Sequence, residues 1–161
     1  MEIRRPKWFV LPETPGDEDR QRIRAEKEII ALYAGRIAQA KLARKRIHWG
    51  YESDEYQIAD IASSVVSFDD EIRCAFLVYC RKLSEGLVEQ YWPYIEAVAE
   101  ALVEEKQLRP NQLHQVIAAV PDSVIRAHQD RLRKALEERE RQSLQRYKKH
   151  QRQAAPAKTN R

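Results

Sequence analysis

The sequence predicts an all-α protein: a multi-helix bundle with an extended N-terminal arm and a long basic C-terminal helix. Three observations carry this. Apolar residues recur at steps of three and four through most of residues 17–150. Only 4 Gly occur in 161 residues, few for an all-β chain or for a fold built on glycine-rich phosphate loops. The apolar fraction is an ordinary 43%, so a core can form, while the charged fraction of 34% exceeds the usual quarter. The length suits one core.

The elements follow in order. Residues 1–16 hold Pro6, Pro12 and Pro15 around the apolar cluster Trp8-Phe9-Val10-Leu11, and proline denies this stretch a helix, so an extended arm is predicted. Asp17 offers an N-cap, with Glu18 and Asp19 complementing the first turn. Ile23, Ile29, Ile30, Tyr33, Ile37, Ala38 and Leu42 then carry a helix to about Arg46. Within it, the small pair Ala34-Gly35 marks an expected close approach of two helices. His48 to Glu52 reads as a loop, and Ser53 as the cap of a helix running from Asp54 to about Val66. The chain turns around Ser67. The longest apolar series, Ile72, Phe76, Tyr79, Leu83, Leu87 and Tyr91, predicts the next helix, which Pro93 kinks or restarts and which continues to about Lys106. Pro110 sits at a tolerated first-turn position of a short helix through Ala119. A final helix over about 122–150 shows a thinner stripe of Ile125, Leu132, Leu136, Leu144 and Tyr147, followed by a tail. The domains expected are therefore an arm at 1–16, a helical domain at 17–120, a basic amphipathic helix at 121–150 and a disordered tail at 151–161.

Several function classes lack their residues. No apolar run approaches the roughly 18–20 residues that span a bilayer, and the N-terminus has no signal-peptide apolar region. Cys74 and Cys80 fall about 9 Å apart along one helix, too far for a disulfide, so reduced, buried thiols in a cytoplasmic protein are expected. His48, His114, His128 and His150 have no ligand spacing, and His114 and His128 read as helix-surface or interface residues. There is no H-E-x-x-H, Cys-x-x-Cys, P-loop or G-x-S-x-G motif. The carboxylates Glu26, Glu28, Glu96, Glu100, Glu104 and Glu105 read as solvated faces and i,i+4 partners. Residue types alone specify no enzyme.

One ordered series is more informative. Ala34-Gly35-Arg36-Ile37-Ala38-Gln39-Ala40 is followed by Gly50-Tyr51-Glu52-Ser53-Asp54 and Ile58-Ala59-Asp60-Ile61-Ala62. Then come Tyr91-Trp92-Pro93-Tyr94-Ile95, Ala97 to Leu102, and Leu108-Arg109-Pro110-Asn111-Gln112-Leu113. Over roughly residues 20–117 this resembles the C-terminal helical part of the peptidase domain of FtsH-type ATP-dependent zinc metallopeptidases. It also resembles small stand-alone bacterial proteins that carry this peptidase-like domain without the ATPase. The resemblance implies that Asp54 matches the family's third zinc ligand, although Tyr51 replaces a small residue beside it. The family's H-E-x-x-H helix has no counterpart before Ala34, so the general base and both His ligands are missing. A catalytic zinc needs three protein ligands and an open water position. The chain is therefore expected to have no catalytic residues, to be proteolytically inactive as an interaction module, and to need no cofactor, zinc entering only if the missing ligands are supplied. The alternative expectation is a zinc metallopeptidase whose H-E-x-x-H lies upstream of Met1.

Charge is unevenly distributed. Residues 131–161 hold 11 Lys/Arg against 3 Asp/Glu, a net +8, whereas residues 1–130 hold 18 against 22, a net −4. Arg131, Arg133, Lys134, Arg139, Arg141, Arg146, Lys148, Lys149 and Arg152 are the candidate nucleic-acid contacts, of the non-specific, salt-sensitive kind. The same segment also reads as a solvated helix that packs on the body or pairs as a short coiled coil. Contact with a protein partner or an anionic membrane surface is a further reading, although the stripe lacks Trp and Phe.

Overall fold

The computed structural model describes residues 16–43, 52–66 and 69–154. The predicted arm up to Pro15, the 48–51 loop, the turn at Ser67 and the tail beyond Ala154 lie outside the described residues. Among those described there are six helices and no strand: α1 (Asp17–Ala43), α2 (Glu52–Val65), α3 (Asp70–Gln90), α4 (Trp92–Glu105), α5 (Pro110–Ala118) and α6 (Asp122–Ala154). The all-α class is as predicted. Two compact units divide the chain within α4, between Ile95 and Glu96.

In the first unit, α1, α2 and α3 surround one small core. Ala25 and Ile29 of α1, Ile58, Ile61 and Ala62 of α2, and Cys80 of α3 are buried, with Ile30, Leu32, Tyr33, Val65, Phe76 and Leu77 packed against them. Cross-links give the directions of the helices. Arg36 pairs with Glu55, and Gln57 donates to Glu28 at 3.2 Å, so α2 runs back along α1. Tyr79 donates to Glu26 at 3.2 Å and Lys41 donates to Glu89 at 2.6 Å, so α3 runs with α1. Glu26 and Glu28 thus accept bonds from neighbouring helices, which corrects their reading as solvated or i,i+4 partners.

Four details of the predicted packing are corrected. The buried line of α3 is Cys80, Ser84 and Val88, about one residue round from the predicted stripe, whose Ile72, Tyr79 and Tyr91 are exposed. The small side chains at 80 and 84 explain the rotation. The Ser84 hydroxyl, fully buried, donates to the Ile30 carbonyl of α1 at 2.8 Å, a contact a leucine would block. Gly35, by contrast, is exposed and has open space where a Cβ would sit, so it marks no close approach. On α1, Ile23 and Leu42 are likewise exposed. Of the two thiols, only Cys80 is buried; Cys74 is exposed.

The helix ends follow local chemistry. Gly16, at φ 104°, supplies the carbonyl that accepts from Arg20, so Asp17 is the first helical residue rather than the cap. α2 begins at Glu52, which places Ser53 inside the first turn instead of capping it. Asp69 caps α3, its carboxylate accepting from the Glu71 and Ile72 amides at 2.8 and 3.3 Å. Pro93 has no amide to return to Glu89, and the chain breaks at Tyr91 and restarts as α4. Lys41 closes the first unit's end: its ammonium lies 4.3 Å from the Trp92 ring centroid while bonding Glu89.

In the second unit α4 ends at Lys106, a non-glycine residue at φ 59° whose amide reaches back to the Leu102 carbonyl at 2.9 Å. Arg109 precedes α5, its amide donating to Gln112 Oε1 at 2.8 Å, with Pro110 in the first turn as predicted. α6 extends through Ala154, so Gln151 to Ala154 are helical rather than part of a tail. His128 is buried on α6, which removes it from the surface, while His114 is exposed.

Candidate nucleic-acid interface

α6 has the composition of a helix that holds itself. Leu, Ala, Arg, Lys, Glu and Gln dominate it and no proline interrupts it. Asp122–Arg126 and Glu137–Arg141 approach to 4.0 Å at i,i+4, and Asp130–Arg133 to 2.9 Å at i,i+3. Such exposed pairs contribute a few tenths of a kcal/mol each, roughly. Basic residues crowd the C-terminal end, where the helix dipole is negative.

The burial pattern splits α6 in two. Ile125, His128 and Leu132 are shielded, whereas every residue from Arg133 to Gln151 is exposed. At ~1.5 Å per residue this leaves about 28 Å of bare helix. Leu136, Leu144 and Tyr147, predicted as a packing stripe, are exposed there at 58%, 54% and 61%.

On this bare rod, helical geometry sorts the charges. With ~100° per residue, Lys134, Arg141 and Lys148 line one edge and Arg139 and Arg146 the other, with Lys149 between them. All the cations from Lys134 to Lys149 therefore occupy about half the circumference, and Arg152 lies further along the same helix. Leu136, Leu144 and Tyr147 fall on the opposite half. The basic half holds one carboxylate, Glu138, which accepts from Gln142 at 2.9 Å. Among the described residues, Lys134, Arg139, Arg146, Lys148 and Lys149 enter no ion pair; Arg133 and Arg141 do, and Arg131 donates to the Ala127 carbonyl at 3.4 Å. The nine cations anticipated from charge counting thus share one helix but not one face, since Arg133 sits apart from the rest. Gln142 and Gln145, which line a shallow groove with Arg146 and Lys149, were not anticipated. Their only sequence signal was helical phase.

Asp54 lies in the first turn of α2 and is half-buried. No group of three His, Cys, Asp or Glu side chains among the described residues converges to hold a metal ion, so those residues do not fit a zinc site around Asp54. No helix among them is long and apolar enough to cross a membrane. No protein-family model matches the sequence, and neither a curated protein nor a solved structure matches the chain.

Proposed function

We propose that this chain is a non-catalytic helical interaction module whose binding element is the bare half of α6, and that the ligand is nucleic acid held through its phosphates. The observation that carries the reading is the set of five cations on exposed helix, Lys134, Arg139, Arg146, Lys148 and Lys149, which enter no ion pair among the described residues and share their half of the helix with a single carboxylate, Glu138. Uncompensated cations on one side of a helix attract a polyanion by releasing its condensed counterions. Residues 1–130 carry a net −4, so the excess positive charge of the sequence lies in residues 131–161. The resemblance to the FtsH-type peptidase region supports the non-catalytic part of the proposal only, because the motif that would supply its base and two zinc ligands is missing.

A salt titration tests this. Five phosphate contacts give a slope of about −4.5 in log K against log salt for duplex DNA, at −0.9 per contact. Affinity for a labelled 25-base-pair duplex, followed by fluorescence anisotropy, is then expected to fall about 500-fold between 50 and 200 mM KCl. Failure to bind at 50 mM, or a slope shallower than about −1, overturns the proposal.

A further inference from the structure

Resting on that reading, we infer that the nucleic acid is B-form duplex DNA, with the bare half of α6 lying in the major groove, in preference to single strands, duplex RNA or an anionic membrane.

Three features of α6 point there. The first is width. From Arg133 to Gln151 the helix stands without flanking structure among the described residues. A bare helix about 10–12 Å across matches the ~12 Å major groove of B-DNA. The major groove of A-form RNA is deep and narrow and admits no such rod. The second is the angular spread of the cations. A flat surface is best met by a single narrow stripe, but Lys134, Arg141 and Lys148 stand about half a turn from Arg139 and Arg146. Two separated edges suit two walls, with a phosphate strand on either side of the groove. Between the edges, beside Lys149 and Glu138, lie Gln142, whose amide donates to Glu138 at 2.9 Å, and Gln145; amides and a carboxylate match the donor and acceptor pattern on a groove floor. The third is the position of the aromatic ring. Single strands are held by stacking on aromatic side chains. Tyr147, the one aromatic residue of α6, lies on the half opposite the cations and accepts from Gln151 at 2.7 Å. The basic half offers a base no tyrosine, tryptophan or phenylalanine ring to stack on.

The test uses the full chain at 50 mM KCl with four probes: a 25-base-pair DNA duplex, either of its single strands, the RNA duplex of the same sequence, and vesicles containing phosphatidylserine. Duplex DNA is expected to bind at least tenfold more tightly than the other three. The paired variants K134Q/K148Q and R139Q/R146Q, one on each edge, are expected to weaken duplex binding by similar factors. Equal or tighter binding to the single strand, the RNA or the vesicles overturns the inference while leaving α6 a polyanion-binding element. So does a loss confined to one edge. Absence of binding to every probe at 50 mM KCl instead removes the underlying reading as well.

Discussion

Ser84 bonds α3 to the backbone of α1, and it offers a two-step test of how the first unit holds together. Its side chain is fully buried and its hydroxyl donates to the Ile30 carbonyl at 2.8 Å. Replacing it with alanine removes that bond but strands nothing, since Ile30 lies inside α1 and its carbonyl keeps a helical partner. The net loss is then about 1 kcal/mol. Replacing it with valine removes the same bond and adds bulk against the α1 backbone, where overpacking costs a further ~1–3 kcal/mol. In urea unfolding followed by circular dichroism, a slope of ~2 kcal/mol/M converts these to midpoint decreases of about 0.5 M for Ser84→Ala and about 1–2 M for Ser84→Val. The reasoning is refuted if Ser84→Val is no less stable than Ser84→Ala, because the two helices would then not be in tight contact at this point.

Other expectations are independent of this one. Gly35 and Gly86 lie inside exposed helix with open space for a Cβ, so Gly35→Ala and Gly86→Ala are each expected to stabilise the protein by about 0.8–1.0 kcal/mol in the same unfolding assay. Lys41→Ala is expected to cost about 1 kcal/mol by thermal unfolding, from an exposed ion pair with Glu89 and a cation–π contact with Trp92. Burial, with help from Glu26, pushes the Cys80 thiol up to about 11 from 9.0. Burial also raises Tyr33, and the Glu26 charge raises Tyr79. In each case the unfolded chain loses its proton at lower pH than the folded one. Stability is therefore present below about pH 9 and is lost as pH climbs through 11. Urea midpoints across pH 8–11 check this; a midpoint that rises over that range contradicts it. At pH 8 a thiol reagent is expected to modify exposed Cys74 well before Cys80.

The fold class and most of the helix ends were legible because each has a local cause. Pro93 and Pro110 act through their missing amides, and the apolar periods act through burial. The phase of α3 was not legible. Its sequence contains a strong stripe at 76, 79, 83 and 87, but which side faces α1 is decided by where backbones can approach, and Cys80 and Ser84 do not stand out in a hydrophobic pattern. The same limit explains Gly35: a small residue permits a close approach without requiring one. For α6, charge counting located the basic segment but not its geometry. Helical phase separates Arg133 from the half shared by Lys134 through Lys149, and the ion pairs with Asp130 and Glu137 reduce the number of uncompensated cations. The match of Asp54 to a zinc ligand was a matter of motif order, and its place in the first turn of α2 brings no other donor set to it among the described residues.

The most direct test of the central claim neutralises four of the five uncompensated cations of α6 in the full chain, as K134Q/R146Q/K148Q/K149Q, and repeats the salt titration on duplex DNA. Glutamine keeps helix propensity near that of lysine and arginine, so α6 itself is expected to persist by circular dichroism. Binding is expected to weaken at every salt concentration, with the slope falling from about −4.5 to about −1. A variant that binds as tightly as the parent, with the same slope, would mean that the bare half of α6 is not the binding surface.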